Sequence, residues 1–143
     1  MQTVKQMLEG KGNEVHGVTP DDTVLTAIKR MAELGVGALV VLDNNNKLVG
    51  ILSERDYARK IVLAGKSSKE TAVREIMSSP VLTTTLDGRA NACMRLMTDR
   101  RIRHLPIVDG DTVVGMLSIG DLLKVVITEQ QKTIEQLNNY INS

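Results

Sequence analysis

The chain has 143 residues, with 18 Lys+Arg against 17 Asp+Glu for a net charge of +1, and its only aromatic residues are Tyr57 and Tyr140. At 42% hydrophobic and 24% charged it has the make-up of one ordinary globular domain, which excludes a disordered polyelectrolyte. Balanced charge argues against a phosphate-tracking nucleic-acid binder, and missing aromatics argue against base stacking on single strands.

No apolar run approaches the ~20 residues that span a bilayer, so no membrane insertion is expected. The segment Met1-Gln2-Thr3-Val4-Lys5-Gln6-Met7 lacks the apolar core of a signal peptide. Cys93 is the sole cysteine and has no partner for an intramolecular disulfide, which fits a reducing, cytoplasmic setting.

From the N-terminus, residues 3–9 read as a short lead-in helix capped by Thr3. Thr19-Pro20-Asp21-Asp22-Thr23 is a turn and helix start. Val24, Ala27, Ile28, Met31 and Leu34 follow with helical spacing, and Gly35 and Gly37 end the helix. Strands at 38–42 and 48–52 flank an Asn-rich turn, and Ser53 caps a helix running through Asp56, Tyr57 and Ile61. Residues 65–80 read as a linker with a short helix, Ala72–Met77.

The pattern then recurs. Helix 89–100, strand 104–108, turn 109–111, strand 112–117, cap Ser118 and a helix from Ile119 repeat the first set. The offset is 66 residues before the turn and 65 after it, because the first turn is one residue longer. Val49-Gly50-Ile51-Leu52-Ser53-Glu54-Arg55-Asp56 returns as Val114-Gly115-Met116-Leu117-Ser118-Ile119-Gly120-Asp121. Two copies of a β-α-β-β-α unit suggest a pseudo-twofold pair of class α/β (α+β), not a solenoid. The tail continues the last helix with Ile127, Ile134, Leu137 and Ile141 on one stripe, which suits packing on the body or on a second subunit.

These units, each closing on Gly-apolar-apolar-Ser-x-x-Asp, together with the Leu-Pro-Ile-Val strand and the linker Glu75-Ile76-Met77, resemble a tandem pair of cystathionine-β-synthase (CBS) domains, a Bateman module. Ser53–Lys60, Cys93-Met94-Arg95-Leu96-Met97, Arg103-His104-Leu105-Pro106 and Ser118–Leu122 are similar to the small stand-alone bacterial members. The resemblance implies residues 15–64 and 81–126 as the two CBS units, 1–14 as N-terminal helix and lead-in, 65–80 as linker, and 127–143 as a helical extension. It also implies a ligand, AMP, ADP, ATP or NAD, in the cleft between the units. A homodimer and an unidentified effector protein are the implied partners.

The residues support a binding chemistry of their own. A Ser ending a strand and opening a helix lies beside unpaired amides and a partial positive charge, which attract phosphate. An ionised Asp three residues on only accepts hydrogen bonds, and so suits the two hydroxyls of a ribose. Ser53 with Asp56, and Ser118 with Asp121, supply this twice. The same spacing is also that of a helix cap. Arg55 has Gly120 as its counterpart, so the two sites are expected to differ. Arg55, Arg59 and Lys60 either contact anionic ligand or form a solvated face. Arg103 and His104 either reach a phosphate or, for His104, hydrogen-bond in the core; Arg100 and Arg101 complement a helix C-terminus. With Pro106 on the resembling strand, the nucleotide-contact set is Ser53, Arg55, Asp56, Arg103, His104, Pro106, Ser118 and Asp121. Lys11-Gly12 lacks the context of a phosphate loop, two distant His with one Cys suggest no metal site, and no catalytic residue is expected. The expected function is non-catalytic regulation, with a structural or adaptor module as the alternative.

Overall fold

A computed structural model of the chain describes residues 2–12 and 14–143. Two compact units divide it. One combines the N-terminal segment with Thr83–Asp109 and Val114–Ser143; the other combines Glu14–Leu82 with Gly110–Val113. Each contains a three-stranded sheet in a mixed helix and strand architecture.

In the unit holding the first repeat, β1 (Gly17–Val18) pairs parallel with β2 (Ala38–Leu42), and β2 pairs antiparallel with β3 (Leu48–Ser53). A parallel pair needs a crossover, and α2 (Val24–Leu34) supplies it. Thr23 caps α2 through the Thr26 amide, and Gly35 closes it at φ 67°, in the left-handed region that glycine enters without Cβ strain. Of the stripe read from the sequence, Val24, Ala27 and Met31 are buried with Leu39, Val41 and Leu52 and Ile28 packs partly buried against them, whereas Leu34, in the last turn beside the Gly35 cap, is exposed. Beyond β3 the chain forms α3 (Glu54–Tyr57) and one wider π-helical turn at Ala58–Val62, which brings Ile61 into the same core.

The linker is stitched to this repeat. Its helix α4 (Val73–Ile76) buries Val73 and Ile76. The Val73 amide donates to the Asp22 carbonyl at 2.8 Å, Ile51 and Ser78 exchange backbone bonds, and Arg74 pairs with Asp21.

The other unit repeats the scheme. β4 (Thr84–Thr85) is parallel to β5 (His104–Asp109), with β6 (Thr112–Ser118) on the far side of β5. Thr84 faces Ile107 where Val18 faces Val41, so the 66-residue offset preserves strand register. The crossover helix α5 (Ala90–Arg100) buries Ala90, Cys93 and Met97, the counterparts of Val24, Ala27 and Met31. Arg101, not glycine, takes its left-handed cap at φ 55°. The single-residue difference between the repeats lies in the turns. Asn46 at φ 62° closes the longer one, where the Asp43 carboxylate accepts from the Asn45 and Lys47 amides; Gly110 closes the shorter.

α1 (Val4–Lys11) starts one residue later and ends two later than the sequence suggests, with Thr3 and Gln6 forming a capping box. It packs in the second-repeat unit: Val4 donates to Gly88, Lys5 donates to Leu86, and Ala90 donates back to Gln2. α6 (Ile119–Asn142) runs unbroken from the close of the repeat to the C-terminus; it buries Leu122 but leaves its last turns exposed.

Glycine in the closing motif has a steric reason. A Cβ on Gly50 would lie 2.4 Å from Met77 Sδ, and one on Gly115 would lie 2.6 Å from Leu8 Cδ1. In each repeat the last strand leaves a slot at glycine, and an apolar side chain from outside the repeat fills it.

Candidate functional site

The two strand-to-helix junctions have one local construction. Ser53 and Ser118 keep extended backbone while the next residue turns helical. Each hydroxyl accepts from the amide three residues on, Asp56 or Asp121, at 3.2 Å. Each Asp Oδ2 accepts in return from its serine's amide, at 2.9 and 2.8 Å. The first helical amide reaches across to the residue before the neighbouring strand, β2 or β5: Glu54 donates to the Gly37 carbonyl at 3.0 Å, and Ile119 donates to the Arg103 carbonyl at 2.9 Å. Both junctions are therefore complete capping boxes, and part of the helix-start donor set is used by the caps.

Beyond the caps the two carboxylates differ. Asp56 is only 8% exposed. Its Oδ2 also accepts from Ser53 Oγ at 3.0 Å, and its Oδ1 accepts from Ser78 Oγ and Lys60 Nζ, each at 3.0 Å. Four donors match the roughly four lone-pair positions of a carboxylate. Lys60, read from the sequence as nucleotide contact or solvated face, holds this network by also donating to the Ile76 carbonyl at 2.9 Å.

Asp121 is more open. Its Oδ2 accepts from the Ser118 amide and from Lys11 Nζ at 2.7 Å, and among the described residues its Oδ1 receives no hydrogen bond. Lys11 donates also to the Met116 carbonyl at 2.6 Å. Burial opposes ionisation of Asp121, but the hydrogen bonds from Lys11 and Ser118 and the Lys11 charge together outweigh it. They hold the carboxyl below its ordinary value. In both repeats a lysine thus bridges the junction carboxylate and a nearby carbonyl. Lys60 comes from within its repeat and Lys11 from outside, and Lys11 lies 110 positions from Asp121, where no periodicity reports it.

The other predicted contacts fall as follows. The Arg103 backbone is tied to the Ser118–Asp121 junction, and its side chain is exposed. His104 is half-buried at the start of β5. Pro106 is buried two residues on and has no amide to donate, whereas its counterpart Val40 donates to His16. Arg55 is exposed on α3, and Gly120 is its exposed counterpart on α6. Arg100 ends α5 in the position of a helix-dipole complement. Among the described residues no three His, Cys, Asp or Glu side chains cluster as metal ligands, and no helix is long and apolar enough to cross a membrane.

Comparison with known proteins agrees with this construction. The family model of the CBS domain matches residues 13–63 and 73–128. The mitochondrial CBS domain-containing protein CBSX3 of Arabidopsis thaliana is 41% identical over 147 residues, covering 97% of this chain and 71% of that protein. A CBS-domain protein of Burkholderia ambifaria MC40-6, provisionally assigned to signal transduction, superposes with TM-score 0.85 at 47% identity, over 90% of this chain and 96% of its own. The CBS-domain structure NE2398 gives TM-score 0.84 at 47% identity, over 88% and 98%.

Proposed function

The chain belongs to the CBS-domain family as a tandem pair, and on that premise we propose that it is a non-catalytic regulatory module. It binds an adenine nucleotide (AMP, ADP or ATP) or NAD, pairs with a second copy, and passes the signal to an effector protein. One observation carries the nucleotide reading: among the described residues Asp121 Oδ1 accepts no hydrogen bond, on a carboxylate whose pKa Lys11 and Ser118 hold down, in the first turn of the long helix α6. Such an acceptor suits ribose hydroxyls, and Ser118 and the helix start beside it suit phosphate. A ribose accepted at Oδ1 shares the carboxylate with Lys11, which holds Oδ2, and so ties occupancy to the seating of α1.

Asp56 favours a second reading, that of a structural or adaptor dimerisation module, because Ser53, Ser78 and Lys60 use its whole acceptor capacity. Thermal-shift titration with AMP, ADP, ATP and NAD separates the two. Binding predicts stabilisation by at least one of them, with the nucleotide recovered unchanged. Asp121→Ala then loses hydrogen bonds to an ionised acceptor, worth about 1.5–3 kcal/mol or roughly 10–150-fold in affinity. No shift with any of the four would leave the adaptor reading.

A further inference from the structure

Among the described residues the apolar stripe of α6 is left about half exposed or more. Leu123 is 47% exposed, Ile127 51%, Ile134 56%, Leu137 56% and Ile141 75%. Their spacing is 4, 7, 3 and 4, and Gln130 divides the interval of 7 into 3 and 4. The stripe is therefore an unbroken heptad seam. Ile127, Ile134 and Ile141 occupy every a position, and Leu123, Gln130 and Leu137 occupy the d positions.

This composition identifies the occupant. β-branched residues at a with Leu at d favour two parallel strands over higher orders. Of the six flanking e and g positions from Lys124 to Tyr140 only Lys124 is charged, so two identical helices meet little like-charge repulsion. Gln130 sets direction and register. In a parallel, in-register pair the two Gln130 side chains face each other and hydrogen-bond. In an antiparallel pair centred on the seam, each faces Ile134 and is buried without a polar partner.

We infer that α6 is a self-association element, its Leu123–Ile141 seam forming a parallel, in-register two-stranded coiled coil with α6 of a second copy. The seam is roughly 27 Å long at 1.5 Å per residue. About three heptads is the short end of what holds a coiled coil together, so this pairing is reversible and concentration-dependent. The inference rests on the pairing of copies proposed above, not on nucleotide binding, and names the surface and geometry involved.

Site-directed cross-linking of the full chain tests it. Ile134→Cys places a thiol opposite its own copy within disulfide reach, whereas Glu135→Cys points away from the seam. The native Cys93 is buried. Under mild oxidation at micromolar concentration, Ile134→Cys is expected to form disulfide dimer at least about tenfold faster than Glu135→Cys, since only the former meets the geometric limits. Adding Leu137→Asp, at a position exposed within the chain, should abolish that advantage while leaving the circular dichroism of the body unchanged. Equal rates at 134 and 135 overturn the proposal. So does preferential mixed disulfide between Gln130→Cys and Ile134→Cys chains, the antiparallel signature. Light scattering distinguishes the broader reading: a particle of twice the chain mass without the 134 cross-link means that copies pair through another surface.

Discussion

Lys11 approaches Asp121 from a helix outside the repeat, and their contact gives the N-terminal segment a charge-dependent hold. Both side chains are partly exposed, so the pair is a modest contributor to stability. Its pH dependence has a definite sign. The folded-state pKa of Asp121 lies below the unfolded value of about 3.9. Its stabilising contribution is therefore complete above that value and is lost as pH falls through the depressed folded one. Lys11→Met removes the hydrogen bond and charge that lower the pKa while leaving the burial that raises it. A carboxyl NMR titration should therefore find Asp121 titrating at higher pH in the variant, and amide exchange in α1 should quicken. An unchanged titration would mean that Lys11 does not hold the carboxylate. Asp56, with four donors converging on it, carries a different consequence. Its replacement by Ala strips acceptors from a buried network, so its binding phenotype must be read beside a stability measurement.

At the scale of elements, each repeat is completed by a side chain it does not own. Met77 from the linker lies over Gly50 of β3, and Leu8 of α1 lies over Gly115 of β6. A methyl group on either glycine collides with the tip of that side chain, which must swing out of its slot. Overpacking of this kind costs about 1–3 kcal/mol. Gly115→Val is accordingly expected to lower the unfolding midpoint and to speed amide exchange in α1. Gly50→Val should act instead on the linker helix α4. If Gly115→Val left α1 protection untouched, Leu8 would not be the group that glycine accommodates.

For the molecule as a whole, the chain's order is not the order of its compact units. The N-terminal segment groups with the second repeat, while the linker stays with the first. Val4, Met7 and Leu8 are buried, each worth about 1.5–3 kcal/mol in burial before the ordering cost of the helix. Deleting residues 1–12 should thus expose the second-repeat unit selectively. Hydrogen exchange is expected to accelerate in β4, β5, β6 and α5 well beyond any change in β1–β3. Uniform acceleration across both repeats would contradict that partition.

Features that act over a few residues could be read from the amino-acid sequence alone. The 66- and 65-residue offsets reported a repeated order of helix, strand, turn and strand, the spacing of Val24, Ala27 and Met31 identified the buried face of α2, and Ser53 and Ser118 marked helix starts. The resemblance to CBS domains rested on the same short motifs. These succeed because periodicity and capping depend on neighbours within about one turn. The π turn after α3, the union of α1 with the second repeat and the Lys11–Asp121 pair were decided only by tertiary structure. Two aspartates at equivalent motif positions are identical as sequence. They differ because one is enclosed by Ser78 and Lys60 and the other meets a lysine from the far end of the chain. Solvation, charge and hydrogen-bond capacity at a site are properties of what surrounds it in space, and a repeat does not specify the residues that lie outside it.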